Sequence, residues 1–430
     1  MYRRIEKGCC ANIGNRGEII NKKSAAKAKN KYTHNRKMNI DSISLENYRN
    51  IERAEIEFSR GVNVIEGLNA QGKTNMLEAV YYMSLGRSFR RAPDSELIKI
   101  GESRASAAIS FTDSVRPQTM DMEFILDRGR TVRKARLNRV PIQKMSEIVG
   151  VFRSVLFCPN HLSIVKDGPA VRRNWIDVAL SQLDASYMHE LKRYCKILAE
   201  RNTLIKNCRF GGADRTFEDT VGMWSEQLAE SGAEITLKRL EYLKRISKHV
   251  DRFFFEMTGE TSRAEKIDIS YVSSSVLGGK DQLGDGEGGA EIDAAESKNA
   301  VKESLYKLLM SRHEREIALG STLFGIHKDD IKIKINGSAA RNFASQGQQR
   351  SIALALKLAE GELSTEYTGE SPVFLLDDML SELDTRRREY ILNELGERQV
   401  IITTCESIES LSGVGNVRRI AAEGGRFSIV

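Results

Sequence analysis

From Met38 onward, apolar and polar residues first alternate with a period of two, then recur every three or four positions, then gather in short apolar runs. Alternation from Ile43 to Phe58 predicts short antiparallel strands, because successive side chains of a strand point to opposite faces. Val62-Asn63-Val64-Ile65-Glu66 predicts another strand that runs straight into a glycine-rich turn. After that turn, Met76, Val80 and Met83 fall on one helical face, with Leu77, Tyr81 and Leu85 beside it. Two more strands are predicted over 120–126 and 131–137, joined by a turn at Asp127-Arg128-Gly129-Arg130. Residues 171–257 read as long helices, with Leu240, Leu243, Ile246, Val250 and Phe253 on one stripe. Helical spacing returns from Val301 to Ala318, and Ile331 to Ile335 alternates again before the hairpin signal Asn336-Gly337. The chain closes in the strand–helix–strand order of an α/β sheet.

Two stretches break this patterning. Residues 1–37 have no hydrophobic period and are rich in Lys, Asn, Gly and Ala, which predicts disorder. Residues 278–298 hold six glycines and six acidic residues against two basic ones, the composition of a disordered loop or linker. The expected organisation is a basic extension at 1–37, a first head segment at 38–170, a helical arm at 171–320 and a second head segment at 321–430. Charge sharpens the first boundary. Residues 1–37 carry eleven Lys/Arg against Glu6 and Glu18, a net +9 in a chain whose total is +7, so residues 38–430 carry −2. A translation start at Met38 and a basic arm that touches nucleic acid are two readings of that segment. Elsewhere, nucleic-acid contact must come from local patches.

A content of 40% hydrophobic and 29% charged residues suits a globular protein with a sizeable core. No apolar run approaches the roughly 20 residues of a membrane helix, and no apolar segment follows the first charges as in a secretory signal. No membrane association and a cytoplasmic location are therefore expected. Cys9, Cys10, Cys158, Cys195, Cys208 and Cys405 show no zinc-type pairing, so reduced thiols are expected.

The candidate chemistry begins at the glycine-rich turn. Gly67-Leu68-Asn69-Ala70-Gln71-Gly72-Lys73-Thr74 fits G-x-x-x-x-G-K-[ST] between a strand and a helix. Its glycines let backbone N–H groups curl around phosphates, and the helix start adds its positive end. Lys73 would reach the β- and γ-phosphates of ATP, and the Thr74 hydroxyl would ligate Mg²⁺. Val373-Phe374-Leu375-Leu376 is a four-residue apolar run, as expected of a strand buried on both faces. It delivers Asp377 and Asp378 to its carboxyl end, where such sheets bind ligands. Asp377 is the expected Mg²⁺ holder and Asp378 the catalytic residue that orients water; a solvated turn is the bland alternative. Ser345-Gln346-Gly347-Gln348-Gln349-Arg350 precedes an apolar-patterned helix, with Ser345 as N-cap and Gly347 allowing close backbone approach.

That last motif closely resembles the signature sequence of the ABC ATPase superfamily, in which this helix start binds the ATP held by the other subunit. Ser381-Glu382-Leu383-Asp384 resembles the superfamily's D-loop. Leu45-Glu46-Asn47-Tyr48-Arg49-Asn50, Leu85-Gly86-Arg87-Ser88-Phe89-Arg90, Phe157-Cys158-Pro159-Asn160-His161-Leu162, Gly168-Pro169 with Arg172-Arg173, and His327-Lys328-Asp329-Asp330 together resemble the RecF family. The resemblance covers residues 38–430 and implies an α/β ABC-type P-loop ATPase head, split in sequence, with an inserted mainly helical arm. It further implies that two heads sandwich two ATP molecules in an ATP-dependent homodimer, Ser345, Gly347 and Gln348 completing the partner's site. Family members bind DNA, single-stranded or gapped, act in replication and recombinational repair, and support RecA loading and SOS induction with RecO and RecR. Departures are Ile326 where proline is expected before His327, the acidic insertion, no switch histidine after Ile401-Ile402-Thr403-Thr404, and Asp378 in place of Glu. Those last two argue against a transporter motor and for slow turnover, an Asp being one methylene short. A transport ATPase subunit and a non-hydrolysing ATP-gated scaffold remain the rivals.

For DNA contact, the run Arg128, Arg130, Arg133, Lys134, Arg136 and Arg139 has no acid within it. Phosphate contact and a solvated, charge-guarded edge strand are the two readings. Arg172 and Arg173 are further candidates.

Overall fold

The computed structural model describes residues 36–211, 215–259, 265–275, 290–291, 297–405 and 417–430. A central sheet has the strand order Arg426–Ile429, Val417–Glu423, Val62–Glu66, Val400–Thr404, Val373–Asp377, Ser154–Phe157. The last five are mutually parallel, and Arg426–Ile429 adds an antiparallel edge. Val62 pairs with Val400, and Leu376 with Phe157, so both halves of the sequence build one sheet. The strands Val373–Asp377 and Val400–Thr404 are buried at every position because both faces are covered. Ile65, Leu156, Leu375 and Ile401 share one core with Met76, Leu77 and Val80 of the helix Lys73–Leu85. Their neighbours Val64, Phe157, Phe374, Leu376 and Ile402 share the other core with Ile352 and Leu356 of the helix Gln346–Thr368.

A second sheet, wholly antiparallel, covers the other side of the helix Lys73–Leu85. Its order is Ile51–Glu57, Asn39–Tyr48, Arg104–Thr112, Pro117–Asp127, Arg130–Leu137, Val140–Pro141. Ile43, Ile109 and Met120 from this sheet join the same core as Met76 and Val80. Every residue from Met76 to Leu85 is buried. The apolar stripe read from the sequence understates this helix, because it is sandwiched between sheets rather than laid on one.

The arm consists of the helices Ala185–Gly211, Arg215–Thr258, Lys298–Ser311 and His313–Leu319. Leu240, Leu243, Ile246, Val250 and Phe253 are all buried, so the stripe read from the sequence is the packed face. A fully buried pair, Arg201 and Glu316 at 2.6 Å, ties two of the helices, with Thr322 and Ser225 accepting from the remaining guanidinium nitrogens. A small sheet follows: Ile267–Ser273 pairs antiparallel with Asp330–Ile335, which leads through Ser338–Ala339 and the helix Ala340–Phe343 to Ser345.

Arm and head meet in a buried polar joint. Arg239 donates to Asp177 at 2.8 Å, to the Tyr187 and Tyr271 hydroxyls at 3.1 Å each, and to the Ile326 carbonyl at 3.1 Å. Tyr271 donates to Asp329 at 2.5 Å, and Ser274 N–H reaches the other Asp329 oxygen at 2.7 Å. Burial pushes the Asp329 carboxyl up from its ordinary value, against those hydrogen bonds and Arg239. Arg172 clasps Asp330 with two hydrogen bonds of 2.7 and 2.9 Å, and Arg173 donates to the Asp329 carbonyl at 2.7 Å. His327 hydrogen-bonds the Tyr194 hydroxyl at 2.8 Å.

Residues 1–35 of the basic extension lie outside the described residues, as does most of the acidic stretch 278–298. Of that stretch, Ala290–Glu291 pairs with Ser273 and Val272. At the other boundary, Arg36–Lys37 pairs in parallel with Glu370–Ser371, and Met38 N–H donates to Ser371 O at 3.0 Å. Met38 itself is buried at 1% exposure. Among the described residues, a chain begun at Met38 keeps that anchor and loses the two-residue pairing and the Asn39 hydrogen bond to the Lys37 carbonyl, so its melting temperature is expected to stay within about 2 °C of the full chain. A drop of several degrees in a thermal scan would make the extension part of the fold.

Candidate nucleotide site

The carboxyl ends of three adjacent parallel strands bring the sequence-predicted groups together. Thr403, on the middle strand, sits level with Ile65 on one side and Asp377 on the other. The turn that follows Glu66 is shaped by its glycines. A Cβ on Gly67 would run into the Ala422 carbonyl, and Gly72 lies at φ 100° with Asn50 Oδ1 3.1 Å from where its Cβ would be. The helix that starts at Lys73 has neither a side-chain cap nor an acidic first-turn residue, which leaves its N–H groups for an anion. Lys73 folds back over the loop, its Nζ donating to the carbonyls of Gly67 at 2.5 Å and Leu68 at 2.7 Å. Asn69, Ala70, Gln71, Gly72, Lys73 and Thr74 line an open cleft with Asp378, and Leu68 stands exposed beside it.

The acidic pair divides its work. Asp377 is buried, and burial pushes its carboxyl up, opposed by hydrogen bonds from the Thr74 and Thr403 hydroxyls. The Thr403 hydroxyl lies 2.8 Å from Asp377 Oδ1 and accepts from Asp378 N–H at 3.1 Å. Asp378 is held at φ 49°, an unfavourable region for a residue with a Cβ. Thr403 O also accepts from its N–H, and Ser381 Oγ donates to its carboxylate at 3.3 Å. The Thr74 hydroxyl against the buried Asp377 carboxylate pairs two oxygen donors of the kind a hard cation such as Mg²⁺ takes.

Several further residues support this site, and of these Glu78, Gly424 and Gly425 carry no local sequence signal. Asn50 donates to the Ala70 carbonyl at 3.1 Å, and the Gly424 and Gly425 N–H groups reach Gln71. Glu78, fully buried, receives Arg49 through two hydrogen bonds of 3.0 and 2.9 Å, is hydrogen-bonded by Ser88, and lies 3.8 Å from Arg90. Arg90 and Cys405 line the cleft, and Cys405 Sγ stands 3.6 Å from Lys73 Nζ. Thus Leu45–Asn50 and Leu85–Arg90 act as props of the phosphate loop, linked through Glu78. No disulfide involves Cys158, Cys195, Cys208 or Cys405.

Ser345, Gly347 and Gln348 do not line this cleft. They open the helix Gln346–Thr368 as a reciprocal cap: Gln348 N–H donates to Ser345 Oγ at 3.2 Å, and Ser345 N–H donates to Gln348 Oε1 at 2.7 Å. Gly347 is not forced to be glycine by the chain itself. A Cβ there would meet nothing nearer than Arg387 Nη2 at 3.5 Å.

The basic patches look different in place. Arg133 turns inward to the Gly86 carbonyl and to Asp94, at 3.2 Å each. Lys134 and Arg136 stand opposite Glu123 and Asp121 on the neighbouring strand. Arg172 and Arg173 are committed to the arm joint rather than displayed. Among the described residues no helix is long and apolar enough to cross a membrane.

The family model described as "RecF/RecN/SMC N terminal domain" matches residues 39–423. The DNA replication and repair protein RecF of Clostridium acetobutylicum is 34% identical over 382 residues, covering 89% of this chain and 95% of its own. The protein of the same name from Clostridium novyi is 36% identical over 366 residues, 85% of this chain and 92% of its own. The solved structure of the recombination mediator protein RecF-ATPrS in the RecFOR pathway superimposes with a TM-score of 0.81 at 33% identity, over 92% of this chain and all of that one. With its split α/β head of ABC type and its inserted helical arm, the chain belongs to the RecF family within the RecF/RecN/SMC group.

Proposed function

We propose that this protein is an ATP-dependent DNA-binding protein of replication and recombinational repair, working as a homodimer that closes around two ATP molecules. The observation that carries this reading is the divided site: a complete phosphate cradle in one place, and a capped helix start bearing Gly347 in another. ATP and Mg²⁺ fit the cradle. Lys73 and the free N–H groups would take the β- and γ-phosphates, and Thr74 and Asp377 would hold the ion. Asp378 would orient water for slow hydrolysis, stimulated by DNA. Ser345 and Gly347 of a second copy would meet the γ-phosphate, while Gln348 supports them as a cap. The names of the relatives, a DNA replication and repair protein and a recombination mediator of the RecFOR pathway, support a role in repair; we extend it to single-stranded or gapped DNA, RecR and RecO, RecA loading, SOS induction and the cytoplasm.

Light scattering with ATP or ADP tests this on two variants. Ser345→Arg is expected to stay monomeric with ATP while binding ATP as the wild type does, because the affected surface serves the other copy. Asp378→Asn is expected to hydrolyse slowly and to persist as an ATP-bound dimer. A Ser345→Arg protein that still dimerises with ATP rules out the composite site. Phosphate release measured with and without DNA separates an ATPase from a scaffold that only binds.

A further inference from the structure

The first turn of the helix Gln346–Thr368 has no acidic residue, as a helix start that receives phosphate requires. A carboxylate reaches it all the same, from another element. Glu265, 83 positions earlier in the chain, accepts a hydrogen bond of 2.6 Å from Gln348 Nε2. The Gln348 amide is thereby used at both ends, its oxygen being bound to Ser345 N–H. Glu265 is half-buried, and the backbone next to it is fixed: Lys266 N–H donates to Asn336 Oδ1 at 2.9 Å, and Asn336 N–H returns to the Lys266 carbonyl at 3.0 Å.

The electrostatics have a clear direction. A carboxylate near the first turn stabilises the positive end of a helix. A γ-phosphate brought by a second copy would use that same end, and two anions at one helix start repel. The nearest cation is already matched. Arg387 donates to the Gly347 carbonyl at 3.4 Å and to Ser351 Oγ at 2.9 Å, but it is ion-paired with Asp384.

We propose that Glu265 is an electrostatic placeholder for the partner's γ-phosphate, neutralising the signature helix start in the single chain and raising the threshold for ATP-driven association. This rests on the composite-site reading. Glu265 stands two residues before the first residue of the strand Ile267–Ser273, which also carries Tyr271 of the arm joint, so the threshold is set by an element of the arm and not by the helix itself.

The full chain, Glu265→Gln and Glu265→Ala are compared by light scattering over a range of ATP with Mg²⁺, at about 0.05 and 0.5 M salt, alongside melting temperatures. Glu265→Gln still offers an amide oxygen to Gln348, so it is expected to melt with the wild type. It is expected to associate about fivefold more tightly at low salt, a gain that shrinks at high salt. Glu265→Ala, also without the charge, is expected to associate at least as tightly as the wild type. Association of Glu265→Gln equal to or weaker than the wild type at low salt overturns the placeholder and leaves the composite site standing. If no form, wild type included, associates with ATP, the composite site falls and the placeholder with it.

Discussion

Lys73→Ala is expected to bind ATP about 30- to 150-fold more weakly than the wild type while keeping its melting temperature. The factor corresponds to the loss of about 2–3 kcal/mol, the worth of hydrogen bonds to a charged group. Lys73 is the one mobile cation of the loop, parked on the Gly67 and Leu68 carbonyls until phosphate oxygens replace them. Its removal leaves those two carbonyls beside an open cleft, where water serves them, so the fold loses little. Titration calorimetry with ATP, next to a thermal scan, reads both halves. Wild-type affinity in a folded Lys73→Ala protein would mean that phosphate is held elsewhere.

The largest loss of stability is expected at the arm joint. Arg239 is 1% exposed and donates to Asp177 and to the Tyr187 and Tyr271 hydroxyls, while Tyr187 itself donates to Asp177. Arg239→Ala leaves Asp177 half-solvated without its cation and removes the positive charge that offsets the burial of Asp329. Breaking one side of a buried pair costs about 3–5 kcal/mol. The expected result is a large fall in the urea midpoint, with ATP affinity retained below that midpoint because the cradle lies on other elements. A midpoint like that of the wild type would show that apolar packing alone holds the arm to the head.

The difference between these two regions explains how much could be read in advance. The phosphate loop is legible because eight consecutive residues carry the whole signal, with strand pattern before and helix pattern after. Asp377 and Ser345 are proposed on the same kind of ground, each standing at the end of a local pattern. Thr403 was passed over for the histidine it is not, since its hold on both aspartates depends on strand register rather than on neighbours in sequence. Glu78 likewise looked like one more helical residue, although Arg49 and Ser88 converge on it. The basic candidates misled in the opposite direction. Arg172 and Arg133 read as displayed charge because their partners, Asp330 and Asp94, are distant in the chain. A sequence shows where charge is placed, and only the fold shows what neutralises it.

The pairing of Val62 with Val400 and Val417 also has a consequence for biosynthesis. The strand before the phosphate loop has both of its sheet neighbours near the end of the chain. On a ribosome adding about 5–20 residues per second, Val62–Glu66 waits on the order of tens of seconds before either neighbour is made. The antiparallel meander from Asn39 to Pro141 pairs mostly between consecutive strands and can form in the meantime, apart from its own Val62–Glu66 interruption. Folding of the nucleotide site is therefore a late, long-range event that follows release of the final strands. Until then the edges of that strand are left open to pairing with other chains.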